Sequence, residues 1–69
     1  MSEKTAAQIL LAARQKLGLT QAEVAKKAGM NSNAYAKIER GESEPSTESL
    51  RKLIKALKID RSEIPSLLD

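Results

Sequence analysis

Apolar positions recur at helical spacing in five places along the chain, and polar caps or glycines separate them. Ala6, Ile9, Leu10, Ala13 and Leu17 make one stripe within a run of strong helix formers that starts at Thr5 and stops at Gly18. Leu11 falls off that stripe and is expected nearer the surface. Val24, Ala25 and Ala28 form the inward side of a short second helix, Gln21–Ala28. Thr20 and Glu23 ahead of it make a T-x-x-E capping box, in which each side chain satisfies a free backbone donor of the other. Gly29 ends that helix with a sharp turn, and Met30 plugs the turn. Asn31 caps a third helix over residues 32–40, closed by Gly41. Tyr35 and Ile38 face inward on it, while Ser32, Asn33, Ala36, Lys37 and Arg40 face out. Residues 42–45 read as a loop. Ser46 caps a fourth helix, with Glu48 in its first turn and a stripe of Leu50, Leu53, Ile54 and Leu57. Asp60 and Glu63 repeat the start signal ahead of Ile64, Leu67 and Leu68. Pro65 limits that last piece to a short turn of helix and a bent tail.

No segment alternates with the period of a strand, so the chain reads as all-α. With 69 residues it is a single domain, 1–69, with a small core. Tyr35 is the only aromatic, so the core must be built from Leu, Ile, Val, Ala and Met. Cysteine and histidine are both absent, which removes disulfides and the common zinc sites. No catalytic constellation appears, and no metal, cofactor or small-molecule ligand is expected; the chain reads as a non-enzyme. No apolar run is long enough to span a membrane, and the polar start lacks the pattern of a signal peptide. A cytoplasmic location is expected.

The stretch over residues 20–41 sets the tone for the rest. Two short helices joined by a glycine turn are the geometry of a helix-turn-helix. Small Ala25 stands where the helices must approach closely, and Gln21, Lys26, Lys27, Asn33, Lys37 and Arg40 stay outside. An ordinary helical hairpin in a bundle is the plainer alternative. Net charge is only +3, but it is uneven: seven bases oppose three acids up to residue 40, and five oppose six beyond it. The positive part coincides with the two-helix unit, a pointer to a polyanionic partner.

The residues Arg14, Lys16-Leu17-Gly18-Leu19-Thr20-Gln21, Glu23-Val24-Ala25, Gly29, Ile38-Glu39-Arg40-Gly41, Pro45-Ser46 and Leu50, Leu53, Ala56, Leu57 together resemble the Cro/phage-repressor type of helix-turn-helix regulators. The resemblance covers about Ala6 to Leu68. It implies a compact five-helix, lambda-repressor-like domain whose third helix lies in the major groove of double-stranded DNA. Ser32, Asn33 and Lys37 are then the base-reading set: Asn pairs with N6 and N7 of adenine, and Lys donates to O6 or N7 of guanine. Gln21 and Arg40 fall at positions that hold phosphates, with Arg14 and Asn31 as further candidates. Asn31 is split between that role and capping, and capping is its main expected task. Ala36 either packs on a thymine methyl or is solvent-facing filler. Arg14 and Glu39 match a pair that forms an interhelical salt bridge in relatives.

The chain departs from the family pattern in three places. Glu42 and Glu44 stand in the loop where some relatives place bases. Lys58 stands where glycine often ends the fourth helix, and Leu11 replaces a residue that is usually polar or basic. The expected function is a sequence-specific transcription regulator, a repressor, acting as a homodimer on a palindromic operator. Ile64, Leu67 and Leu68 either pair across the two-fold axis or close their own core. The alternative is an antitoxin-like or coactivator-like interaction module with secondary DNA binding, motivated by the acidic loop and Leu11.

Overall fold

A computed structural model describes residues 5–60 and Ser62. Among these residues the chain forms four helices and no strand: α1 Ala6–Leu17, α2 Gln21–Ala28, α3 Ser32–Glu39 and α4 Thr47–Ala56. Each begins at a polar cap whose side chain accepts a backbone N–H of the first turn: Thr5, Thr20, Asn31 and Ser46. Two of these are full capping boxes. Thr20 pairs with Glu23 as its sequence announces, and Thr5 pairs with Gln8, whose Oε1 accepts the Thr5 N–H at 2.9 Å.

The helices also end alike. After α2, the Met30 N–H reaches back to the Ala25 carbonyl at 2.9 Å. This closes the last turn and needs a left-handed residue just before it, which Gly29 supplies with φ of 68°. After α4 the same closure forms, with the Ile59 N–H on the Ile54 carbonyl at 3.0 Å. Here the left-handed residue is Lys58, with φ of 54°. A side chain in that conformation costs about 1–2 kcal/mol, offset here by the closed turn and by Ile59, which the turn sends into the core.

The core is aliphatic apart from Tyr35. Leu10, Val24, Tyr35 and Leu53 are fully buried, and Ile9, Ala25, Ala28, Ile38, Leu57 and Ile59 join them in one cluster. Burying each large aliphatic side chain contributes about 1.5–3 kcal/mol. α2 packs on both α3 and α4, and α1 packs on α3. The α2–α3 pair is thus backed by helices on either side.

Three expectations need correction, and a fourth is only partly met. The five-helix count is not matched: four helices are present among the described residues. Lys58 turns the chain out of α4, and beyond it the Ser62 N–H donates to Asp60 Oδ1 at 2.9 Å. Ile64, Leu67 and Leu68 lie outside the described residues. Leu17 points along the buried direction of α1 but remains 40% exposed, because it sits at the helix end beyond its packing neighbours. It borders an apolar groove with Ile9, Ala13, Leu57 and Ile59. Leu11 is half-buried rather than exposed, since the buried face of α1 is centred on Leu10 and is broad enough to include it. Ala36 is likewise half-buried, on the flank of α3 next to the side that carries Glu39.

Candidate nucleic-acid interface

α3 is eight residues long, and its periodicity divides it cleanly. Tyr35, Ile38 and Glu39 are buried, while Ser32, Asn33, Ala34 and Lys37 are exposed. Its amino-terminal turn therefore offers short polar side chains, and a cation follows one turn later. Asn31 uses its side-chain oxygen to cap the helix, accepting the Asn33 N–H at 2.8 Å and the Ala34 N–H at 3.4 Å. Its amide NH2 remains available to an acceptor outside the chain.

The buried Glu39 is the anchor of this face. Arg14, from α1, grips its carboxylate with a two-pronged fork: Nε donates to Oε2 at 2.7 Å and Nη2 donates to Oε1 at 2.8 Å. Paired in this parallel geometry, guanidinium and carboxylate make one of the stronger polar contacts available to a protein. Nη1 of the same arginine donates to the Leu19 carbonyl at 2.9 Å, in the link between α1 and α2. Gln21, the first residue of α2, donates from Nε2 to Glu39 Oε1 at 3.0 Å. One carboxylate thus ties together α1, α2 and α3, and the side chains of Arg14 and Glu39 are only 17% and 5% exposed.

The electrostatics follow from this arrangement. Burial pushes the Glu39 carboxyl up, but donation from Arg14 and from the Gln21 amide, with the Tyr35 hydroxyl nearby, outweighs it, and the group ends below its ordinary value of 4.5. Burial pushes the Tyr35 phenol up, and the adjacent Glu39 carboxylate acts in the same direction, so the ring stays neutral. That hydroxyl is buried beside the pair but makes no hydrogen bond of ordinary geometry to it. Gln21 has a second N–H on Nε2 that Glu39 does not use, and the residue is half-buried at the positive end of α2.

Past the helix, Arg40 is its C-cap and Gly41 is left-handed with φ of 80°. The Glu42 N–H then closes on the Lys37 carbonyl at 2.9 Å. This turn folds Glu42 back under α3, where its carboxylate accepts a hydrogen bond from Arg40 Nε. Both side chains are more than half exposed, at 54% and 57%. Arg40, Lys37, Ser32 and Asn33 are all exposed, and Gln21 is bound to Glu39. Two contacts were missed from the sequence: Gln21 to Glu39 and Arg40 to Glu42. The first links residues far apart in the chain. The second had a signal in the Arg-Gly-Glu spacing across a left-handed glycine.

Among the described residues no helix is long and apolar enough to cross a membrane, and no group of acidic residues is placed to hold a metal ion. No curated protein and no solved structure matches the chain. The sequence model of the helix-turn-helix family matches residues 10–64, from the buried Leu10 of α1 through the whole of α4. With α2, the Gly29 turn and α3 arranged as two packed helices behind an exposed polar face, the chain belongs to the Cro/C1-type, lambda-repressor-like helix-turn-helix family of DNA-binding transcription regulators.

Proposed function

We propose that this domain binds double-stranded DNA sequence-specifically and represses transcription, with α3 lying in the major groove. The observation that carries the reading is the exposed amino-terminal face of α3, whose orientation is set by the buried tie from Glu39 to Arg14 and Gln21. Ser32, Asn33 and Lys37 read base edges. Gln21 offers its free N–H to a phosphate while Glu39 holds the other, so the amide is oriented before DNA arrives. Asn31 offers its amide NH2 to the backbone in the same way, and Arg40 is the cation nearest the end of the recognition helix. Arg14 serves the interface through Glu39, with three of its five N–H donors engaged inside the domain.

The domain acts as a homodimer on a palindromic operator, with half-sites about 34 Å apart, one turn of DNA. The apolar groove beside Leu17 supports a protein contact on that side of α1. The interaction-module alternative rested on an exposed Leu11 and two loop acids. Leu11 is half-buried and Glu42 is paired to Arg40, so Glu44 alone is left to favour it.

Selection of bound sequences from random duplex DNA tests the reading directly. A single enriched motif with two-fold symmetry is expected, and binding should weaken steeply from low to physiological salt. Recovery of no motif, with salt-independent binding, would count for the interaction module instead. Asn33→Ala should cost roughly 1–3 kcal/mol at the selected site and relax preference at one base pair. An unchanged preference would remove Asn33 from the reading face.

A further inference from the structure

The cation nearest the end of the recognition helix is already occupied. Arg40 follows α3 directly, and the Gly41 turn delivers Glu42 onto its Nε. Two features of the geometry make this more than an incidental surface pair. The closure of the Glu42 N–H on the Lys37 carbonyl fixes the backbone on which the carboxylate is carried, so Glu42 reaches Arg40 from an ordered turn. Glu42 also lies within the field of Lys37, the one other cation of α3. The direct partner of this acid is Arg40, and its single charge falls chiefly there.

We propose that Glu42 is an internal competitor of DNA phosphate: in the folded domain it holds Arg40 on its own carboxylate and withholds it from the backbone of the duplex, lowering affinity without touching base recognition. This inference rests on the DNA-binding reading above. The chemistry is a plain exchange of anions. Arg40 can donate in-plane to a carboxylate or to a phosphate, and the two oxyanions want the same donors. The pair is solvent-exposed, so it is weak in absolute terms and a phosphate can contest it. Glu42 nevertheless has the advantage of being two residues away, at high effective concentration. Because the withheld contact is sequence-independent, affinity for operator and for random DNA falls by the same factor, and the ratio between them stays with Ser32, Asn33 and Lys37.

The test is a double-mutant cycle on Arg40 and Glu42, read by fluorescence anisotropy of a labelled duplex across a salt series. The probes are a mixed-sequence duplex and the selected operator. Both residues are exposed, and unchanged urea midpoints confirm that the variants remain folded. Glu42→Gln is expected to tighten binding to both duplexes and to steepen the log–log salt slope by about 0.9, the value of one added phosphate contact. Its advantage should then be about three- to fourfold larger at 50 mM than at 200 mM salt. Arg40→Gln should weaken binding more in the Glu42→Gln background than in the native chain, and in that background it should erase the gain. If Glu42→Gln tightens binding equally with or without Arg40, the acid acts only by repelling DNA through space, and the competitor idea fails. If Glu42→Gln changes nothing while the native chain binds duplex, Arg40 does not reach the backbone and the idea fails again. Absence of duplex binding by every variant at low salt would instead overturn the DNA-binding reading on which it stands.

Discussion

Glu39 and Arg40 are neighbours in the chain, and each pairs with an opposite charge, yet the two pairs have little else in common. One helical step of about 100° separates them. Glu39 is turned toward the core, where Arg14 grips it with two parallel hydrogen bonds and Gln21 adds a third. Arg40 is turned to solvent, where one bond from Nε meets Glu42. The buried pair joins residues 25 apart and fixes how three helices sit relative to one another. The exposed pair joins residues two apart and fixes nothing beyond its own turn. Identical chemistry therefore has a structural role on one side of α3, and an electrostatic role toward a partner on the other. Burial decides between them, since removing one member of a buried pair strands the other charge in low dielectric, whereas water screens the survivor of an exposed pair.

The comparison is most easily broken at Glu39. Glu39→Ala leaves the Arg14 fork unpaired and should destabilise the domain by about 3 kcal/mol, measured as a fall in the urea midpoint. A loss no larger than that of a surface substitution would mean that water reaches Arg14 freely and that the pair is not buried in effect. Operator binding should fall further than unfolding accounts for, because Gln21 loses its orienting partner.

A smaller effect comes from pH. The Glu39 carboxyl titrates below 4.5 in the folded domain, under its unfolded value. The unfolded chain thus binds the proton first, so stability from this group is complete above the unfolded value and is lost as pH falls through the folded one. The gap in stability between the native chain and Glu39→Gln should be constant near neutral pH and should close as acid is added. A gap that stays open in acid would show that the amide disrupts packing rather than charge. Glu42 is also held below 4.5, by the Arg40 hydrogen bond, but it is exposed and water dilutes its contribution. Glu42→Gln should therefore reproduce the native pH profile of stability almost unchanged.

The smallest expected change is on the exposed side. Arg40→Gln and Glu42→Gln should leave the urea midpoint where it is, within the error of the measurement, while Glu42→Gln alters DNA affinity. A clear loss of stability in either would place Arg40–Glu42 in the same class as Arg14–Glu39 and erase the distinction.

Much of this molecule is legible in the chain because its determinants are local. The caps at Thr20, Asn31 and Ser46, the stop at Gly29 and the stripe of α4 each depend on residues three or four apart, which a helix places side by side whatever surrounds it. The same holds for the inward Tyr35 and Ile38 and for the outward Ser32 and Asn33, since α3 can turn only one face to the core. Periodicity fails where burial depends on what lies opposite. Leu17 has the right direction on α1 and no cover, Leu11 has the wrong direction and is half-covered, and Ile59 enters the core only because Lys58 adopts a left-handed turn.

The sequence by itself located the four helices, the caps at Thr20, Asn31 and Ser46 and the exposed face of α3, because each rests on contacts within a turn or two, though the fifth helix it announced is not matched among the described residues. The tertiary fold alone decided what that face is fastened to. Gln21 meets Glu39 across 18 residues and Arg14 meets it across 25, and no local signal encodes such meetings. They depend on the angle at which α1, α2 and α3 pack, which is set by the joint fit of Leu10, Val24, Ala25, Tyr35 and Ile38 in one core.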